Sequence, residues 1–223
     1  VQFSIGQGLL SASPLQLAVA YGALGNGGKV LRPRVVRAIW APGTPNGKSG
    51  RVDLTAGTIV QNFIDPQLLN DVGMREEIRE AIVGGLTRVI TGPGVTSDIY
   101  HSTTGEKLFR SYPKRALPIA GKTGTAQGAG NLPWNDSSAF GAFSLSPRPD
   151  YKYAAFAYLE KSGYGSQAAA PVVKCMYIAL AGKYRFDPLN AADPLNTGGS
   201  LAAQPTYLRN PSCLVGGRSE SRD

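Results

Sequence analysis

The chain of 223 residues holds two cysteines and one histidine. That scarcity excludes a conventional zinc site, because Cys175, Cys213 and His101 cannot supply four nitrogen and sulfur ligands. No metal and no cofactor is expected, and His101 reads as a loop residue rather than a catalyst. Cys175 falls in an apolar helical pattern, where a buried thiol is one outcome and a disulfide to Cys213 in an oxidising compartment the other. No stretch approaches the roughly 20 apolar residues of a membrane helix, and no secretory leader is visible. Neither absence excludes an anchored parent, because Val1 is not an initiator methionine and the chain is expected to begin inside a longer protein.

What the chain does contain points to a folded, loop-rich domain. Its hydrophobic share of 42% is that of a globular protein rather than a disordered one, and 28 glycines with 16 prolines predict many turns. The formal charge is +8. A basic protein can meet nucleic acid, an anionic surface or an anionic polymer, or the charge can serve solubility alone. Lysine and arginine are spread along the chain without a nucleic-acid motif, so no nucleic-acid partner is expected.

Periodicity then places the elements. Ser13 is a good N-cap and Pro14 a good first helical residue; Leu15, Ala18, Val19 and Leu24 follow at helical spacing, and Gly25 to Gly28 end the helix. Residues 30–40 read as extended, with Pro33 confining them to an edge. Asp65-Pro66 predicts a short helical turn. A helix over 74–90 gathers Ile78, Ile82, Leu86, Val89 and Ile90 on one face. Gly84-Gly85 would weaken it unless a neighbouring element packs closely there. Residues 91–116 lack a period and predict a long surface loop. Three strands follow, at 117–126, 137–146 and 151–160, the last two joined by a turn at Pro147-Arg148-Pro149-Asp150 and the last expected to be buried. Residues 168–182 predict a helix apolar nearly all round, with Val172, Val173, Met176, Ile178 and Leu180 in the core. The reading is an α/β fold of α+β type, helices on an antiparallel sheet, over residues 1–186, with an irregular tail at 187–223.

The first of the three strands carries Lys122-Thr123-Gly124-Thr125. Such a strand can bind an extended peptide that ends in a carboxylate. Lys122 brings a positive charge, and the Thr123 and Thr125 hydroxyls can donate to carboxylate oxygens. Gly124 removes a side chain where a ligand backbone must come close, and a backbone N–H beside it can point at an oxyanion. An ordinary turn-flanked strand would also carry the tripeptide. The partners of this motif in penicillin-interacting serine enzymes are Ser-x-x-Lys and Ser-x-Asn or Ser-Asp-Asn.

Further blocks surround it in order. Before it stand Ser4-Ile5-Gly6-Gln7-Gly8, Ser13-Pro14-Leu15-Gln16-Leu17-Ala18, Ala20-Tyr21 and Gly25-Asn26-Gly27-Gly28. After it stand Asp136-Ser137-Ser138-Ala139-Phe140-Gly141-Ala142-Phe143 and Ala168-Ala169-Ala170-Pro171-Val172. Together they resemble the C-terminal part of the transpeptidase domain of class B, high-molecular-weight penicillin-binding proteins, over most of residues 4–182. The resemblance implies a D,D-transpeptidase that cross-links peptidoglycan stem peptides ending in D-Ala-D-Ala and binds β-lactams. It implies that Lys122 tunes the cleft, that Thr123, Gly124 and Thr125 bind substrate, and that the Thr125 N–H meets the oxyanion. Trp134 could wall the cleft or simply pack. The implied setting is the extracytoplasmic face of a bacterial plasma membrane, with an anchor upstream of Val1 and a membrane glycan polymerase as partner.

The sequence departs from the family's pattern in one respect. No Ser-x-Asn string occurs, and the single Ser-x-x-Lys string is Ser111-Tyr112-Pro113-Lys114. Pro113 breaks the helical turn that would bring Lys114 to Ser111, so this string reads as an exposed basic connector. The nucleophile is therefore expected before Val1, and the chain alone is expected to be inactive. Serine β-lactamases and D,D-carboxypeptidases share Lys-Thr-Gly but fit the Ser4–Gly28 block less well; a β-lactam sensor is the reading from another class.

Overall fold

In the computed structural model, the structure describes residue 6 and residues 11–36, 38–41, 59–63, 65–94, 107–109, 112, 114, 117–128, 136–145 and 152–185. The first helix, α1 (Pro14–Gly25), opens on a reciprocal cap: the Ser13 hydroxyl accepts from the Gln16 N–H at 3.2 Å, and the Ser13 N–H donates to Gln16 Oε1 at 2.8 Å. Its end is turned by Asn26, whose side chain donates to the Lys29 carbonyl and accepts the Lys29 N–H. Gly28, at φ 97°, occupies a conformation open to glycine and directs the chain into β1 (Lys29–Leu31).

Residues 30–40 are extended but broken, with β2 (Ala38–Trp40) separated from β1 by the stretch that contains Pro33. Two strands that local patterning did not reveal complete these pairs: β3 (Ile59–Asn62) with β2, and β4 (Leu68–Asp71) with β1, both antiparallel. The turn expected at Asp65-Pro66 is not helical. The Arg32 N–H donates to the Gln67 carbonyl at 2.9 Å and Arg34 donates to the Asp65 carbonyl, so long-range pairing overrides the local signal.

Helix α2 (Glu76–Thr91) has Glu76 and Glu77 in its first turn, where acidic groups suit the helix dipole, and Arg79 pairs with Glu76 at 2.7 Å. Only the far end of its apolar face is sequestered: Ile90 is buried and Val89 packs on the core, while Ile78 and Ile82 are exposed. Among the described residues no close neighbour stands at Gly84-Gly85; a β-carbon at either would meet none of them within 4 Å.

The central sheet is β5 (Ile119–Ala126), β6 (Ser137–Ser144) and β7 (Ala154–Leu159), antiparallel in that order. Side chains alternate across it. Ser138, Phe140 and Ala142 are fully buried on the side of helix α3 (Ala169–Arg185), whose Tyr177 hydroxyl donates to the Ala142 and Tyr153 carbonyls. Gly141 and Phe143 face α1, where Tyr21 lies over Gly141 and Gly25 abuts the Phe143 ring. Strand β7 is half-exposed rather than buried, because among the described residues it forms the far edge of the sheet.

Two further expectations are corrected. The stretch 91–116 is not purely a surface loop: Leu108, Phe109 and Tyr112 lie in the core with Phe140 and Tyr177, and the Tyr112 hydroxyl donates to the Leu117 carbonyl at 2.7 Å. The apolar side chains of this stretch, spaced without a period, join the core cluster, where the Phe109 ring lies 6.1 Å from that of Phe140. Helix α3 is also one-sided rather than buried all round. Val173 and Ile178 are buried, but Val172 and Met176 are each 41% exposed. The buried stripe instead includes Lys174, whose ammonium donates to the Leu108 carbonyl at 2.9 Å. The turn at 147–150 and the tail at 187–223 lie outside the described residues.

Candidate active site

Strand β5 holds all four residues singled out from sequence. Lys122, Thr123, Gly124 and Thr125 lie opposite Gly141, Phe140, Ala139 and Ser138 of β6. Among the described residues β5 pairs with β6 alone, so its other edge has no described strand. Alternation puts Lys122 and Gly124 on the α1 side of the sheet and Thr123 and Thr125 on the α3 side. Lys122 is exposed, and its ammonium donates to the Thr123 carbonyl at 2.7 Å, which holds the charge beside the strand. Thr123, Gly124 and Thr125 are half-buried.

The glycines of this strand pair are not equivalent. A β-carbon at Gly121 would stand 2.8 Å from Phe140 Cζ and 2.9 Å from the Gly141 carbonyl oxygen; one at Gly141 would stand 2.3 Å from Tyr21 Cε2. Both are demanded by the protein's own packing. At Gly124 the nearest atom is Ala139 Cβ at 3.4 Å, an ordinary contact. Among the described residues nothing forbids a side chain at the one glycine inside Lys-Thr-Gly.

Tyr21 is tied to this region through the sheet. It packs on Gly141, the register partner of Lys122, and its ring stands 6.1 Å from that of Phe156. Burial raises the Tyr21 phenol above its ordinary pKa. Nothing local to Tyr21 in the sequence signals this contact with Gly141, which joins α1 to β6.

A second feature escaped the sequence reading. The connection from β7 to α3 crosses β5 and β6 at the Lys-Thr-Gly glycine. A β-carbon on Gly165 would stand 2.4 Å from both the Gly124 and the Ala139 carbonyl oxygens and 2.9 Å from the Gly124 nitrogen. The available signal was Gly163-Tyr164-Gly165 directly before an apolar helix, which local reading takes as turn chemistry alone.

The other candidates fall differently. In Ser111-Tyr112-Pro113-Lys114, Tyr112 is buried and Lys114 half-buried, which corrects the exposed connector; Ser111 and Pro113 lie outside the described residues. His101, Trp134 and Cys213 also lie outside them. Cys175 is half-buried on α3 against the core.

Lys-Thr-Gly-Thr thus lies on a strand that is an edge among the described residues, in an antiparallel sheet with helices on both faces. The family model described as the Penicillin binding protein transpeptidase domain matches residues 1–177, and the chain belongs to that family. It is 29% identical over 187 residues to the Peptidoglycan D,D-transpeptidase MrdA of Haemophilus influenzae, covering 78% of this chain and 24% of that protein. It is 28% identical over 216 residues to the protein of the same name from Acinetobacter baumannii, covering 91% of this chain and 27% of the relative. The crystal structure of Pseudomonas aeruginosa PBP2 in complex with WCK 5153 superposes with a TM-score of 0.52 at 28% identity, over 77% of this chain and 30% of that one. The chain thus spans about a quarter of the length of the curated relatives it matches.

Proposed function

We propose that this chain is the Lys-Thr-Gly half of the catalytic cleft of a serine-type peptidoglycan D,D-transpeptidase. The observation that carries the proposal is the placement of Lys122 to Thr125 on β5, paired with β6 on one side, with a glycine at 124 that packing among the described residues does not require. An extended stem peptide ending in D-Ala-D-Ala adds along the outer edge of β5, so main-chain hydrogen bonds supply affinity. The Thr123 and Thr125 hydroxyls take the terminal carboxylate, Lys122 biases the cleft toward anions, and Gly124 lets the peptide backbone approach.

The chemistry is acyl transfer. A serine hydroxyl attacks the penultimate D-Ala carbonyl, and its proton passes to a general base. The tetrahedral oxyanion accepts from the Thr125 N–H; the terminal D-Ala leaves as the amine, taking a proton, and an acceptor amine from a second stem peptide resolves the ester. β-Lactams follow the same first step and remain bound because their leaving group stays attached. The serine and its lysine are assigned to sequence outside these 223 residues, since Pro113 in Ser111-Tyr112-Pro113-Lys114 breaks the helical turn that would bring Lys114 to Ser111. The working site is the extracytoplasmic face of the plasma membrane, and a membrane glycan polymerase supplies the strands to be joined.

The test is intact-mass analysis after incubation with a fluorescent penicillin. The full-length protein should gain one adduct, mapping to a serine outside residues 1–223, and the 223-residue chain should gain none. An unmodified full-length protein, or an adduct on Ser111, would overturn the reading.

A further inference from the structure

We propose that Gly165 is a positioning residue for the oxyanion donor, acting through the Gly124–Thr125 peptide unit. The inference rests on the reading above, in which the Thr125 N–H meets the oxyanion. A peptide unit is planar and trans, so its carbonyl and its N–H point in opposite directions and turn together. The Gly124 carbonyl and the Thr125 N–H are the two ends of one such unit. Gly165 packs on the carbonyl end: a β-carbon there would stand 2.4 Å from the Gly124 oxygen and 2.9 Å from the Gly124 nitrogen, with the Ala139 oxygen at 2.4 Å. Those distances leave no room for any side chain. They involve backbone atoms of a paired strand, which cannot swing aside as a side chain can.

Space, not conformation, requires this glycine. Gly163 in the same connection has φ 76°, whereas Gly165 is not among the glycines of positive φ. Its contact with β5 is held in place from several sides. The fully buried Ser138, register partner of Thr125, donates from its hydroxyl to the Tyr164 carbonyl at 3.0 Å and accepts the Ala169 N–H at 2.8 Å. The Ser138 N–H donates to the Ser162 hydroxyl at 3.3 Å. The Ser162 and Gly163 N–H groups donate to the Asp136 carbonyl at 2.9 and 3.0 Å, and the Ala170 N–H donates to the Gly165 carbonyl at 2.9 Å. The connection is thereby pinned at Asp136 and at Ser138, the residue of β6 opposite Thr125 in the peptide unit it presses on. A side chain at 165 must lift the connection or rotate the Gly124 carbonyl. Rotation tilts the Thr125 N–H, at a donor whose geometry must hold to a few tenths of an ångström.

Gly165→Ala in the full-length protein is the test, read by the acylation rate at saturating β-lactam, the pre-covalent dissociation constant and the carbonyl stretching band of the acyl-enzyme. Deleting an oxyanion donor outright costs about 100- to 1000-fold; tilting one should cost about 10- to 100-fold in the saturated rate. The dissociation constant should change by less than about threefold, and the carbonyl band should move to higher frequency as its hydrogen bond weakens. Ser138→Ala adds no atoms and loosens the same pins; it should show the same signature at smaller size and carries the test should the alanine at 165 prevent folding. Gly84→Ala, in open space on α2, should leave all three readouts at the parental value. Parental rate and band in both Gly165→Ala and Ser138→Ala, against an acylating parent, would overturn the positioning role alone. A parent that is not acylated would overturn the functional reading and this inference with it.

Discussion

Alanine substitution at two glycines three residues apart on one strand should separate packing from function. At Gly121 the new β-carbon would lie 2.8 Å from Phe140 Cζ, 2.9 Å from the Gly141 oxygen and 3.1 Å from Ala142 Cβ. Phe140 and Ala142 are fully buried, so neither can yield into solvent. Overpacking of this kind costs about 1–3 kcal/mol. Replacing a glycine within a strand returns about 0.5–1 kcal/mol of backbone entropy. At Gly124 the nearest contact, Ala139 Cβ at 3.4 Å, is ordinary, so only the favourable entropy contribution applies. The two variants should therefore differ in stability by about 1–3 kcal/mol, with Gly124→Ala the more stable. For a domain of 150–250 residues each kcal/mol is about 2–4 °C in Tm. Acylation should rank them the other way. A methyl at 124 holds the ligand backbone away from β5, and a misplacement of about 1 Å can cost on the order of a hundredfold. Thermal unfolding and the acylation rate with a fluorescent penicillin, both on the full-length protein, measure the two axes. Equal destabilisation by the two alanines, or parental acylation in Gly124→Ala, would refute the reasoning.

Thr125→Val keeps the shape of the side chain and removes a hydroxyl assigned to the substrate carboxylate. It should slow acylation by about ten- to a hundredfold, the cost of one hydrogen bond to a charged group, about 1.5–3 kcal/mol. The Thr125 N–H survives, so the defect should stay partial; unchanged kinetics in a folded variant would remove Thr125 from the site. The Tyr21 phenol, raised by burial, predicts an alkaline dependence of stability. Below the ordinary phenol value near 10 its contribution is complete; as pH rises further the unfolded chain ionises first, and the contribution falls away through the raised folded value. Tyr21→Phe should remove that component, seen as a shallower loss of the urea midpoint as pH rises above about 10, and identical slopes would exclude it.

Legibility from sequence followed the range of the forces involved. The cap of α1 was readable because Ser13 and Gln16 meet within one turn. The three strands of the main sheet were readable to within a few residues because their apolar runs are bounded by glycine, proline and polar residues. The pairing of β4 with β1 was not, since its stability comes from residues some forty positions away, and Asp65-Pro66 carries a misleading local signal. Leu108, Phe109 and Tyr112 had no period to betray them, because a single irregular segment filling a gap need not repeat. Lys174 was hidden for the opposite reason. A lysine reads as exposed unless the carbonyl that receives its ammonium is known, and Leu108 lies 66 residues away.

The chemistry available at the candidate site is already present in the order of the residues. Lys122, two threonine hydroxyls and a glycine between them are covalent facts, and their order in one strand follows from local patterning. Which glycines packing demands, and which it leaves open among the described residues, emerges from the three-dimensional contacts. Gly121 and Gly141 are occupied by Phe140 and Tyr21, Gly124 is not, and Gly165 is set against the Gly124 peptide. The reason is physical: excluded volume depends on which atoms the folded chain brings within about 3 Å, and a residue's neighbours in space are written nowhere in its neighbours along the chain.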